Sequence, residues 1–337
     1  MSWKKLLLKS SVPLEYEAAT ILSRAGFGVS ADFAYSRLDS AVDKEFSVDV
    51  RGFQTIRVTE SVTVFSSLDV LVECKFRDRG TLWLFLPKPD AQFATMSDVV
   101  STIDHFSSKF VHLADDGERL SLGFTAVEIR VMEGGDGGGG NRTTESQLRH
   151  GLRQLQYALP ALIALRIRST ARRSADDNFP FFVAPILLTN ATLRIATSDF
   201  SVASVEAAAL PDDLGDEVPY LVWSAELGPD FDAHCQRQFA SLAELCATDE
   251  LRVIEKRREL AGSSRSVLPS MLAKRIHADG RDALELADYS SVLVVNVKAL
   301  PEIVRRLNES FERMVGSFKE DPVVRWTTEG KAIFPWE

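Results

Sequence analysis

The chain has 337 residues, 45% hydrophobic and 26% charged, with 39 basic against 48 acidic side chains and a formal charge of −9. These proportions are those of a globular protein long enough to bury a core without staples. They exclude a uniformly basic nucleic-acid coat but leave room for a local basic cleft. Three cysteines, Cys74, Cys235 and Cys246, none at C-x-x-C spacing, exclude a disulfide framework and a cysteine zinc site and fit a reducing cytoplasm. The start, MSWKKLLLKSS, has too short an apolar run for a signal peptide. No stretch approaches the roughly 18 apolar residues of a membrane span, so a cytoplasmic location without a membrane partner is expected.

In chain order, residues 14–25 place Leu14, Ala18, Ile21, Leu22 and Ala25 on one helical face, with Gly26 as the residue that ends the helix. Residues 27–36 lead into a hairpin. Segments 46–53 (FSVDVRGF) and 68–76 (LDVLVECKF) alternate with period two and are rich in Val and Phe, as strands are, with a turn near 59–62. A short apolar run, 82–86, ends at Pro87. A helix over 95–112 and a strand over 120–132 follow, and then the glycine run 134–141, whose ordering would cost too much entropy for regular structure. Residues 143–169 read as a long helix that Pro160 kinks or splits. Strands at 179–188 and 192–196, an acidic loop at 209–217, helices near 230–260, a buried strand at 291–297 and a helix at 300–316 complete the chain.

The pair of strands carries the chemistry. Phe46, Val48 and Val50 occupy one face of the first and Ser47, Asp49 and Arg51 the other; Glu73 and Lys75 share a face of the second. For a hairpin turning at residue 61, position i pairs with 122 − i, which sets Asp49 beside Glu73 and Ser47 beside Lys75. Two carboxylates on neighbouring strands, about 5 Å apart, repel unless a cation lies between them. Mg²⁺ (or Mn²⁺) suits such a pair, because it takes one or two carboxylates and keeps several waters. Metal-dependent phosphodiester hydrolysis follows, with Lys75 orienting water or meeting developing charge. Asp69 precedes Glu73 by four residues, about 13 Å along a strand, so it is a strand-start residue and not the second ligand.

A helix with a glutamate, a strand with an aspartate, a hairpin and a strand with Glu-x-Lys resemble the PD-(D/E)xK nuclease superfamily, nearest in pattern to Mrr-type restriction enzymes and Holliday-junction resolvases. The helix LEYEAATIL at 14–22 followed by Gly26 is similar to the first helix of those groups, with Glu15 as the matching glutamate and Glu17 as the alternative register. SVDV at 47–50 carries the metal-binding aspartate onto Asp49, and VECK at 72–75 carries the second ligand onto Glu73 and the catalytic lysine onto Lys75. The backbone carbonyl of Cys74 is the implied third metal ligand. A glutamine on the later helix is also implied; Gln147, Gln154 and Gln156 are candidates, and Gln154 is favoured. The departure is the long stretch 77–142 before that helix, read as an insertion.

The implied fold is α/β, a restriction-endonuclease-like mixed central sheet flanked by helices, with the insertion and a C-terminal α/β elaboration. Length suggests about two domains; the resemblance, which spans 14–76 and more loosely 143–197, implies a nuclease-like core over 1–200 and leaves 201–337 as an accessory region. The resemblance implies a DNA substrate and a homodimer that reaches both strands. The alternative is a catalytically inactive nuclease-like module that binds nucleic acid or protein, to which the net charge of −9 points; a third reading gives 201–337 a protein partner. Arg149, His150, Arg153, Arg166, Arg168, Arg172 and Arg173 form the most basic stretch, read as a phosphate-contacting helix or a solvated face, and Arg77 and Arg79 extend basic character beside Lys75. His234 and Cys235, without further ligands at metal spacing, read as packing residues.

Overall fold

The computed structural model describes residues 3–39, 42–57, 65–87, 101–102, 122–130, 145–171, 181–224, 227–246, 248, 291–320, 325–326 and 332–333. After a short helix α1 (Trp3–Lys9), helix α2 (Val12–Arg24) buries Leu14, Ala18 and Leu22, a stripe at i, i+4 and i+8. It ends at Gly26, whose φ of +90° suits a residue without Cβ. There Phe27 N–H donates to the Leu22 carbonyl and Gly26 N–H to that of Ser23, the Schellman closure that satisfies the last carbonyls.

Strands β1 (Gly28–Asp39), β2 (Val42–Arg57) and β3 (Phe65–Lys75) form an antiparallel meander. The β2–β3 register follows the 122 − i rule, from Val50 opposite Val72 to Arg57 opposite Phe65. Then come β4 (Thr81–Pro87), β5 (Ser101–Thr102), β6 (Leu122–Arg130), α3 (Glu145–Ala171), β7 (Phe181–Thr189), β8 (Thr192–Ala196), α4 (Val202–Ala207), β9 (Gly215–Glu217), β10 (Tyr220–Ser224), α5 (Phe231–Cys246), β11 (Ser291–Asn296) and α6 (Leu300–Glu320). The pair β12 (Arg325–Trp326) and β13 (Ala332–Ile333) forms a separate small sheet.

The main sheet runs β1-β2-β3-β7-β11-β10-β6-β4-β8-β9 and mixes parallel with antiparallel pairs; β5 pairs with β7. The fold is therefore mixed α/β. The boundary expected near residue 200 falls inside this sheet, since β9, β10 and β11 come from beyond it and β10 and β11 occupy its middle. The segment read as an insertion, 77–142, supplies β4, β5 and β6. The helix expected over 95–112 is corrected at Ser101 and Thr102, which are extended and paired with Val183 and Phe182; its other residues, the glycine run 134–141 and the turn near 59–62 lie outside the described residues. Pro160 does not split α3, which is one helix through it. Pro185 lies within β7 opposite Leu71 of β3, and on the other side it falls between Val183, paired with β5, and Ile186, the first residue paired with β11.

Each face of the sheet has its own core. On one side Leu71, Leu187, Val294 and Trp223 pack with Leu155, Leu162 and Tyr157 of α3 and with Phe231 and Phe239 of α5. On the other, Val70, Val72, Ile186, Leu188 and Val295 pack with α2 and with Ile303, Leu307 and Phe311 of α6. Strands buried on both faces read as continuous apolar runs, and FFVAPILLT and SVLVVN do so. No described helix is long and apolar enough to cross a membrane.

Candidate active site

The β2–β3 ladder ends at Val50 opposite Val72, and the functional residues begin at the next step. The expectation that Val48 and Val50 share one face is corrected here. Val50 joins the core on the α2 side and Val48 that on the α3 side, so β2 reverses its faces at Asp49. Across from it Asp32 adopts a left-handed φ of 53°, and the 32–49 pair is missing from an otherwise unbroken β1–β2 register. Asp is among the few residues that tolerate this conformation. The break frees the Asp49 carboxylate from the ladder, and its Oδ2 accepts a hydrogen bond from Cys74 N–H at 2.7 Å. In a strand a residue's N–H and C=O leave on the same side, so the Cys74 carbonyl is aimed into the same gap. Its thiol is buried in the α2-side core, where burial pushes its pKa up.

Beside this gap, Lys75 Nζ donates to Glu73 Oε1 at 2.5 Å and to Gln154 Oε1 at 3.3 Å. Gln154 Nε2 in turn donates to the Ser47 carbonyl at 3.1 Å. One glutamine of α3 thus ties the lysine of β3 to the main chain of β2. Gln156 is buried, Glu17 faces solvent, and the side chain of Gln147 lies outside the described residues. Glu15, in the first turn of α2, completes the site: burial and then the charges of Asp49 and Asp32 raise its pKa, while Lys75 lowers it. Desolvation also raises Asp49, against the Cys74 N–H bond.

Glu73 is the most perturbed carboxyl. It is 1% exposed, and burial pushes its pKa up to about 7 against the pull of Lys75 and of the Asp49 main-chain N–H, with the Asp49 charge adding to the rise. Its Oε2 is buried and, among the described residues, has no partner at full hydrogen-bond geometry. A buried carboxylate oxygen short of donors, in the field of a second carboxylate, is what a divalent cation would relieve. The residues present therefore fit Mg²⁺ or Mn²⁺. Among the described residues no cluster of three His, Cys, Asp or Glu side chains has the spacing to hold a metal ion, so such an ion would rest on two carboxylates, a main-chain oxygen and water.

The Glu73 shift has a testable sign. The folded protein holds this proton to about pH 7, whereas an unfolded glutamate releases it near 4.5. The stability it contributes is full below the lower value and lost as pH rises through the upper one. In urea titrations without metal, stability is expected to fall from about pH 5 to about pH 8, and Glu73→Gln is expected to flatten that slope. An equal slope in the variant overturns this assignment.

Close approach of α3 sets the lysine. A Cβ placed on Gly151 would lie 2.7 Å from Lys75 Cε and 2.9 Å from Leu187 Cδ1. Lys75 is the flexible partner, so Gly151→Ala displaces the ammonium instead of the helix. We expect it to lower activity by about 10–10²-fold while the helix gains alanine's propensity; unchanged turnover with unchanged stability would refute the contact.

Several other candidates are occupied elsewhere. Arg51 and Arg166 both bond the fully buried Asp69 carboxylate, at 2.8–2.9 Å and 2.5–2.8 Å, so neither is a free phosphate contact and Asp69 is the anchor of β2, β3 and α3. Arg77 is buried against Glu128 Oε2 at 2.6 Å, which also accepts from Trp83 Nε1. His234 packs among Tyr35, Tyr157 and Phe231 with Nε2 at 2.8 Å from the Tyr157 carbonyl oxygen. Of the neighbours of the site, Asp32 escapes sequence reading, whereas His150 belongs to the basic stretch already singled out. Asp32 reaches Asp49 only through the β1–β2 register. His150 lies near Lys75, Arg37 and Arg153; burial and then these cations lower its pKa. The comparisons with known proteins add no relative: no family model matches the chain, and neither a curated protein nor a solved structure does.

Proposed function

We propose that the chain is a Mg²⁺- (or Mn²⁺-)dependent nuclease of the restriction-endonuclease-like PD-(D/E)xK class, hydrolysing phosphodiester bonds of DNA. The observation that carries this reading is the assembly of Asp49, Glu73, Lys75 and Gln154 around a buried carboxylate oxygen short of donors. The order α2 with Glu15, β2 with Asp49, β3 with Glu73 and Lys75, then α3 with Gln154, supports it.

Asp49, Glu73 and the Cys74 carbonyl would hold the ion. When bound there, a divalent cation supplies Lewis-acid polarisation of a phosphoryl oxygen and lowers the pKa of water. Lys75, fixed by Glu73 and Gln154, presents a cation where negative charge develops on the phosphorus centre. Gln154 orients that lysine, and Glu15 faces Asp49 as a further carboxylate able to accept a proton. A second reading, a nuclease-like module that binds without cutting, draws on the 2.5 Å Lys75–Glu73 ion pair, in which each charge already satisfies the other.

The deciding assay incubates the purified chain with duplex, branched and single-stranded DNA and with RNA, in Mg²⁺, Mn²⁺ or EDTA. Metal-dependent cutting that EDTA abolishes is the expected result. Folded protein that cuts nothing under any condition favours the binding module.

A further inference from the structure

A cleft of about 550 Å³ opens immediately beyond Lys75, where β3 and β7 end. Its lining includes Lys4 and Leu8 of α1, Arg77 and Arg79 of the segment after β3, and Asn190 and Thr192 at the start of β8. Three cations and one carboxylate, Asp78, border it in a chain whose net charge is −9.

The wall carrying the arginines is built and held. Asn190 clamps the main chain of Arg77 from both sides, accepting from its N–H at 2.7 Å and donating to its carbonyl at 2.8 Å. Arg77 Nε is committed to Glu128 and Nη1 to the Phe76 carbonyl, while Nη2 has no acceptor among the described residues, on a residue only 8% exposed. Residues 78–81 close a turn, with Thr81 N–H and Oγ1 both donating to the Asp78 carbonyl and Gly80 at φ +78°. That geometry needs glycine at the third position, and it presents Arg79 at the tip, exposed to solvent. Lys4 stands across from it on α1, also exposed, its ammonium 5.7 Å from the Trp3 ring centroid. Among the described residues neither Lys4 nor Arg79 has a carboxylate partner.

We infer that this cleft binds phosphate groups of a polynucleotide strand, with Lys4 and Arg79 as its contacts and the Arg77 main chain, clamped by Asn190, as its fixed floor. The inference rests on the nuclease reading for its substrate class. A strand carries a phosphate every 3.4 Å or so of helix axis, so one phosphate at Lys75 brings its neighbours past a cleft whose lining begins at the next residue, Phe76. Lys4 and Arg79 give a basic flank to carboxylates that would otherwise repel the same strand.

The test measures fluorescence anisotropy of labelled single-stranded and duplex DNA in Mg²⁺, comparing Lys75→Ala with Lys75→Ala carrying also Lys4→Ala and Arg79→Ala. Both added substitutions are at exposed side chains, so folding is preserved; buried Arg77 is left intact. Affinity is expected to fall about tenfold or more at 0.1 M salt, and the slope of log affinity against log salt to drop by about 1–2. Unchanged affinity and slope overturn the inference. Inorganic phosphate and a mononucleotide are titrated as competitors. Loss of their binding alone, with oligonucleotide binding intact, also overturns it, in favour of a small-anion site. Cleavage by the otherwise wild-type chain is followed in parallel. Binding that depends on Lys4 and Arg79 without any cutting leaves the cleft and removes the nuclease; Lys75-dependent cutting with binding indifferent to both residues does the reverse.

Discussion

Lys75→Ala is expected to lower metal-dependent cleavage by about 10²–10³-fold, and Asp49→Ala by at least as much, with each variant still folded. Lys75 sits at the edge of the core, half-buried, so removing its ammonium empties the site without opening a deep cavity. It also leaves Glu73 without its counter-charge, so its carboxyl is pushed further up and a proton is held more tightly. Asp49→Ala removes one of the two carboxylates and the acceptor for Cys74 N–H. Gln154→Ala acts through the lysine it positions. Its loss is expected to be smaller, and partly restored by Gln154→Glu, whose carboxylate can still hold the ammonium. Steady-state cleavage rates beside circular dichroism spectra check all four variants. Cutting that survives both Lys75→Ala and Asp49→Ala would place the activity elsewhere.

The largest expected effect on stability belongs to Asp69. Its carboxylate is fully buried and accepts from Arg51 on β2 and from Arg166 on α3, whose side chains are each only 16% exposed. Truncating the shared partner of a buried ion cluster strands the remaining charges, a cost of about 3–5 kcal/mol. Asp69→Ala is therefore expected to lower the urea midpoint sharply, whereas Arg51→Ala or Arg166→Ala alone, each leaving Asp69 one guanidinium, is expected to cost less. Asp69 lies on the Glu73 face, and activity lost in Asp69→Ala could be mistaken for a catalytic effect. Assaying the variant at a temperature where it remains folded separates the two. A midpoint unchanged in Asp69→Ala would mean that this cluster contributes little.

The hairpin shows how far the residues alone could be read. Alternation in FSVDVRGF and LDVLVECK marks both as strands, and a turn at residue 61 between them gives the rule for which residues pair. The observed register obeys 122 − i from Val50–Val72 to Arg57–Phe65 and stops one step short of Asp49 and Glu73; Asp49 meets β3 through the Cys74 N–H instead. The stripe Leu14, Ala18, Leu22 and the terminating Gly26 were equally legible, since helix period and left-handed φ are properties of neighbouring residues. The reversal at Asp49 was not. It depends on Asp32 taking a left-handed conformation in a partner strand, and nothing in SVDV marks it.

The roles of charged side chains divide in the same way. Arg51, Arg166 and Arg77 read as basic character, and in the fold they are bound to Asp69 and Glu128, partners between 18 and 97 residues away. Composition counts their charge but does not neutralise it. Gln154 stood among three glutamines at helical spacing until α3 was docked with Gly151 against Lys75.

By itself, then, the sequence determined the elements with strong periodicity, the β2–β3 register and the candidate triad of Asp49, Glu73 and Lys75. The tertiary structure alone decided the rest: that β10 and β11 enter the middle of the sheet beside β7, that α3 brings Gln154 to the lysine, and that the residues after β3 form one wall of a cationic cleft with α1. Periodicity is written in neighbouring residues, whereas parallel pairing and helix docking join segments far apart in the chain, and it is the burial of both sheet faces at once that selects among them.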